Sequence, residues 1–203
     1  MKKLIIKTSI ITVLSVLVAA ILLVTTLCIF APKTVSDYFY SVGNGGLSVS
    51  YMEKAYNKDK SAKNLEELIF KANENEDYSR VVKYSEIFIN REDFTTYANE
   101  KPVVVGQMTY VEYVYGNYVI ALYKTGATNE TIFAVADKTV ENNYSEYSAY
   151  SSLIYGANIT DVDFLTALSD KLLDLKTNYP ENDNLDADIS CVSQKITNLK
   201  GES

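Results

Sequence analysis

TSIITVLSVLVAAILLVTTLCIFAP, residues 8–32, is a run of 25 residues without one charged side chain. A helix rises about 1.5 Å per residue, so about 20 apolar residues cross the hydrocarbon core of a bilayer. The run is long enough for that, and no polar face interrupts it as one would in an amphipathic helix packed on a soluble core. Two kinds of processing are weakly supported. A cleaved signal peptide has an apolar region of about 7–15 residues ending at small residues. Here Val18-Ala19-Ala20 is followed by Ile21, Leu22, Leu23 and Val24, and Ala31 runs straight into Pro32. Lipoprotein processing needs a small residue before the cysteine, and Leu27 precedes Cys28. The reading is an uncleaved signal anchor over 8–32.

Working outward, Lys2, Lys3 and Lys7 lie on one side of the run and Lys33 alone lies close on the other. Lysine and arginine accumulate on the cytoplasmic side of a membrane helix. Residues 1–7 are therefore expected to be a cytoplasmic stub, and residues 33–203 an extracytoplasmic domain on a single-pass plasma-membrane protein. The 171 residues after Pro32 suffice for one domain with a real core or a short array of repeats. Setting Lys2, Lys3 and Lys7 aside leaves 16 basic against 26 acidic residues, a formal charge of −10. That balance disfavours nucleic acid, whose phosphates require a basic surface, and tight electrostatic docking to anionic lipid. Abundant Asn, Lys, Ile and Tyr with no Trp is the composition of an AT-rich bacterial genome.

Beyond Pro32 the periodicity predicts helices joined by short polar loops. Val35–Val42 ends at the Gly43-Asn44-Gly45-Gly46 connector, where glycine closes a helix. Leu47–Asn57 places Val49, Met52 and Tyr56 on one face, and Ser61–Asn73 does the same with Leu65, Leu68, Ile69 and Ala72. Tyr78–Asn90 turns Val81, Val82, Ser85 and Phe88 inward. Val103–Lys124 is expected to be one long helix that Gly106 and Gly116 kink or divide, followed by a helix capped at Thr128 or Asn129 and running to about Val140. Helices are also expected over Asn143–Tyr155 up to Gly156, over Phe164–Asn178 behind the cap and acids of Thr160–Asp163, and from Asn182–Asn184 to Leu199.

The segment Asn64–Asn90 resembles a tetratricopeptide repeat, a pair of antiparallel helices with small and large residues at set places. Leu68, Ile69 and Ala72 fall where the first helix of that family packs on the second, and Glu76-Asp77-Tyr78 is similar to its turn. Val81 and Phe88 stand where the family has small residues. Tyr51–Tyr56 resembles a preceding half repeat, with Ala55 and Phe88 33 residues apart, near the repeat length. The resemblance covers about residues 44–95, with further helices over 103–200. It implies an all-α fold, an α-solenoid of helical hairpins behind one transmembrane helix, and a non-catalytic scaffold that binds a protein partner.

Catalytic and metal-binding patterns are sparse. Without histidine there is no Ser-His-Asp triad and no usual zinc or copper site. Cys28 lies in the membrane run and Cys191 near the C-terminus, too far apart in environment to form a disulfide. Ser169-Asp170-Lys171 and Ser193-Gln194-Lys195 lack Ser-x-x-Lys spacing, and Gly43–Gly46 lacks the lysine of a phosphate-binding loop. The acids Glu66, Glu67, Glu74, Glu76, Asp77, Asp161, Asp163, Asp183, Asp186 and Asp188 read as caps, turns and solvated helix faces, with no EF-hand glycine and glutamate around Asp183–Asp188. No cofactor and no metal are expected. The main alternative is a cell-envelope enzyme acting on wall glycan or peptide through two opposed carboxylates, one of them buried; a third is a protein that works through its membrane helix in a larger complex.

Tyrosine is the unusual residue, with 17 copies, clustered at Tyr110–Tyr123 and Tyr144–Tyr155. Spacings of three place Tyr144, Tyr147 and Tyr150 near one helical face. Tyrosine joins apolar area to a polar tip, which suits a binding groove as well as a seam between helices. Tyr51, Tyr84, Tyr110, Tyr113 and Tyr118 are the expected partner-binding residues.

Overall fold

The computed structural model describes residues 2–102 and 107–201. Among the described residues there are eleven helices and no strand, so the fold is all-α. The chain divides into two compact units, Met1–Asn75 and Glu76–Ser203.

The first unit holds α1 (Lys2–Phe30), α2 (Pro32–Ser41), α3 (Gly45–Lys58) and α4 (Ala62–Glu74). Within α1, Ile11–Phe30 is long and apolar enough to cross a membrane, and none of it is buried in the protein. Its two threonines near the C-terminal end are self-satisfied: Thr25 and Thr26 donate to the carbonyls of Ile21 and Leu22 at 2.8 Å. Pro32 at the first position of α2 starts a new helix, where its missing N–H does no harm. Gly43, at φ +75°, reverses the chain after α2, and the Asn44 side chain caps α3 by accepting from Leu47 N. Ser61 caps α4 in the same way. α2 packs along α3, and α3 along α4. Of the faces read from periodicity, Val49, Met52, Tyr56, Leu65, Leu68 and Ala72 are buried and Ile69 is half-buried.

The second unit holds α5 (Tyr78–Ile89), α6 (Phe94–Asn99), α7 (Tyr110–Lys124), α8 (Asn129–Asp137), α9 (Ala149–Gly156), α10 (Val162–Lys176) and α11 (Asp183–Gly201). α7 is its hub, packed against α5, α8 and α9, while α10 lies along α11. Gly116 lets α7 approach α9, since a Cβ there would fall 2.5 Å from Ser152 Oγ. Val119, Ile132, Leu153, Ile154, Leu165, Leu168, Leu172, Leu185 and Val192 form the apolar core with Tyr144 and Tyr150.

Three expectations need correction. The helix expected over Val103–Lys124 begins only at Tyr110, where Thr109 and Glu112 form a reciprocal capping box that fixes the start; Gly106 lies outside the described residues, and Gly116 does not divide α7 but serves a close helix crossing. The helix expected over Asn143–Tyr155 begins at Ala149, capped by Ser148. Residues 143–148 are irregular because Tyr144 is held from elsewhere: Asn182 donates to its carbonyl at 2.9 Å and its hydroxyl donates to Asp188. The short α6 is an addition, set by burial of Phe94 and Ala98 rather than by a long period. The tetratricopeptide-like pair Asn64–Asn90 falls across the division, α4 belonging to the first unit and α5 to the second. A succession of eleven helices fits a helical array.

Candidate functional site

In the first unit a charged cluster joins α2 to α4. Lys71, 5% exposed, sends its ammonium to Asp37 Oδ1 at 2.6 Å, Glu67 Oε1 at 3.3 Å and Ser36 Oγ at 3.0 Å. Lys33 pairs with the same Glu67. Ser36 is fully buried and donates to the Ser48 carbonyl at 2.8 Å, so a small residue brings α2 and α3 close while its hydroxyl serves both neighbours. Burial works against the charged form of Asp37, yet the bond and charge of Lys71, helped by Lys33, hold its pKa below the usual value. This is a structural knot; Lys71 faces two carboxylates and a hydroxyl that already occupy it.

The second unit contains the one carboxylate buried among the described residues. Asp188, 3% exposed, accepts from the Tyr144 hydroxyl and from Ser151 Oγ, both at 2.6 Å. Ser148 and Ser151 share a further bond at 3.0 Å. Burial first, and the Asp188 charge second, push the Tyr144 phenol up from its ordinary value. Tyr150 is raised by burial first and then by the bond and charge of Asp137: its hydroxyl donates to Asp137 Oδ1 at 2.7 Å while Lys171 pairs with the other oxygen. Asp188 thus departs from the solvated helix face expected for the Asp183–Asp188 run. It lies with Leu185 and Val192 on the inner side of α11 because those spacings, three and four, share a helical face.

These acids are not assembled as a catalytic pair or a cation site. Asp186 turns outward to Lys176, and no second carboxylate is buried beside Asp188 among the described residues. Among the described residues no group of three or more His, Cys, Asp or Glu could hold a metal ion. An open cleft of about 520 Å³ beside α8 and α10 is lined by Asp137, Glu141, Asp174, Lys171 and Tyr179. Its Asp137 is already engaged by Tyr150 and Lys171.

The five tyrosines expected at a partner surface divide by burial. Tyr84, Tyr110 and Tyr118 lie inside, 3%, 8% and 5% exposed, whereas Tyr51 and Tyr113 keep part of their rings at the surface. Tyr110 packs with Phe88, Tyr97 and Tyr113 in an aromatic cluster of the second unit. Tyr51 belongs to the first unit, stacked on Phe39 at 5.7 Å with its hydroxyl donating to Cys28 Sγ at 3.3 Å. The five therefore do not form one patch.

Periodicity did not single out the apolar surface of the first unit. Tyr38, Tyr40, Val42 and Leu47 stand exposed around the α2–α3 hairpin, and Phe70 of α4 lies 6.5 Å from Tyr40. The signal available in the sequence was the density of large apolar and aromatic residues, Tyr38, Phe39, Tyr40 and Val42, in and just after a helix of ten residues. Compared with known protein families, with curated proteins and with solved structures, the chain matches none of them.

Proposed function

We propose that the chain is a membrane-anchored, non-catalytic helical scaffold that binds a protein partner at the outer face of the membrane. α1 is the anchor, and the lysine excess of residues 1–7 favours a cytoplasmic N-terminus. The observation that carries the reading is the exposed set Tyr38, Tyr40, Val42, Leu47 and Phe70, each between 40% and 62% exposed in the part of the first unit that directly follows the apolar helix ending at Phe30. Clustered apolar surface of this kind marks interaction sites, and aromatic residues are enriched at the centres of protein interfaces. The tetratricopeptide-like resemblance points the same way. Tyr51 and Tyr113 supply further half-exposed ring surface, each on its own unit.

Photo-crosslinking in native membranes tests this. A crosslinking residue at Tyr40 or Leu47 is expected to capture the same protein reproducibly, while one at the exposed Lys200 is not. Capture of lipid alone at Tyr40 and Leu47, or no protein adduct above the Lys200 background, would remove the partner from the reading.

A further inference from the structure

The acidity of the chain is not spread along it. Residues 33–75 carry six basic and six acidic side chains, whereas residues 76–203 carry 10 basic and 20 acidic ones. Within the neutral part, Lys54, Lys58, Lys60 and Lys63 crowd one end of the α3–α4 pair, with only Glu53 and Asp59 between Tyr51 and Lys63 to oppose them. Asp59 is turned into the connection, accepting from Ser61 N at 3.2 Å, Ser61 Oγ at 3.0 Å and Asn64 Nδ2 at 2.8 Å. All four lysines are exposed.

Two contacts fix where this end lies. Lys58 donates to the Ile29 carbonyl in the last turn of α1, and its ammonium lies 5.7 Å from the Phe30 ring centre. Tyr51 donates to Cys28, two residues before the end of α1 and about 3 Å along its axis. Lys54 lies 4.2 Å over the same Tyr51 ring. A cation on the last carbonyls of a helix is favourable in itself. These contacts hold the basic end of α3 level with the end of the apolar run, where tyrosine and lysine meet headgroups.

We propose that Lys54, Lys58, Lys60 and Lys63 form a collar that binds the phosphates of anionic phospholipid in the leaflet that receives the C-terminal end of α1. The proposal rests on α1 crossing the membrane, as in the reading above. Each ammonium has three donors, so Lys58 keeps two for a phosphate while it holds Ile29. The acidic second unit is repelled by the same lipids, so attraction confined to the collar orients the first unit on the surface.

The full chain in nanodiscs of phosphatidylcholine and phosphatidylglycerol, three to one, supplies the test, read as the lipids retained in native mass spectrometry. Phosphatidylglycerol is expected at about threefold its share of the disc, the attraction of the surface lysines being shared over a mobile annulus. Lys54→Gln/Lys60→Gln/Lys63→Gln leaves the Lys58–Ile29 contact in place and is expected to return the retained lipid to the bulk ratio with helix content unchanged. Equal enrichment in the triple variant, or none in the natural chain, overturns the collar. Alkaline extraction of the same discs reads the membrane reading separately: a chain that is extracted was never spanning, whereas a chain that resists extraction without lipid preference spans but has no collar.

Discussion

The two units each bury one formal charge among the described residues, and they do it in opposite ways. In the first, the buried group is a cation, Lys71, answered by two carboxylates that still reach water, Asp37 and Glu67. In the second it is an anion, Asp188, answered at the distances given above only by neutral hydroxyls deep in the core. A buried ion needs either an opposite charge or enough hydrogen bonds to replace its hydration. The first solution ties α2 to α4 at the surface and tolerates change; the second places a carboxylate inside the packing, so its loss is felt by the core.

The contrast sets the order of expected effects. Alkali should be the harshest treatment and should act on the second unit. Tyr144 and Tyr150 have folded pKa values raised above the ordinary tyrosine value of about 10. The native state therefore keeps phenol protons that the unfolded chain releases, and stability that is whole below pH 10 falls as pH rises beyond it. The last tyrosinate absorbance is expected to appear together with loss of helix; full ionisation with helix intact would show that the two rings are not sealed in. At the acid end the sign reverses and the first unit is involved. Asp37, with its pKa lowered, contributes above about pH 4 and loses that contribution as pH falls through its folded value.

Among substitutions, Asp188→Ala should be the largest. It strands the Tyr144 and Ser151 hydroxyls and opens a polar cavity, a loss of about 3 kcal/mol in urea unfolding of the detergent-solubilised chain. Asp188→Asn keeps an acceptor oxygen and should lose less. Lys71→Ala should follow at about 2 kcal/mol, the two carboxylates being able to turn to water, and Lys71→Met, which keeps the volume, at about 1. If Lys71→Ala proves the costlier, the distinction between a surface knot and a core carboxylate is wrong. Gly116→Ala is the mildest, a net loss of about 1 kcal/mol because crowding against Ser152 outweighs the helical preference of alanine. Adding Ser152→Gly should turn that loss into a gain.

Where local chemistry governs, the fold was legible from residue types. Asn44, Ser61, Asp77, Thr128 and Asp161 cap the helices that follow them, and the buried faces of α3, α4 and α5 follow the apolar period. The irregular stretch around Tyr144 was not legible, because its conformation depends on Asn182 and Asp188, 38 and 44 residues away. α6 escaped notice because six residues carry too little periodicity. Asp188 was hidden in a run of acids that looked solvated, although its register with Leu185 and Val192 was there to be read. The tyrosine clusters were visible as composition, but which rings face inward depends on how α5, α7 and α9 meet.

The most direct measurement is protease treatment of right-side-out membrane vesicles after alkaline washing. The chain is expected to stay in the membrane pellet, and external protease to remove residues 33–203 while leaving a fragment that contains α1 and the N-terminal lysines. Release of the chain by alkali, or complete protection from external protease, would contradict an anchored scaffold facing outward.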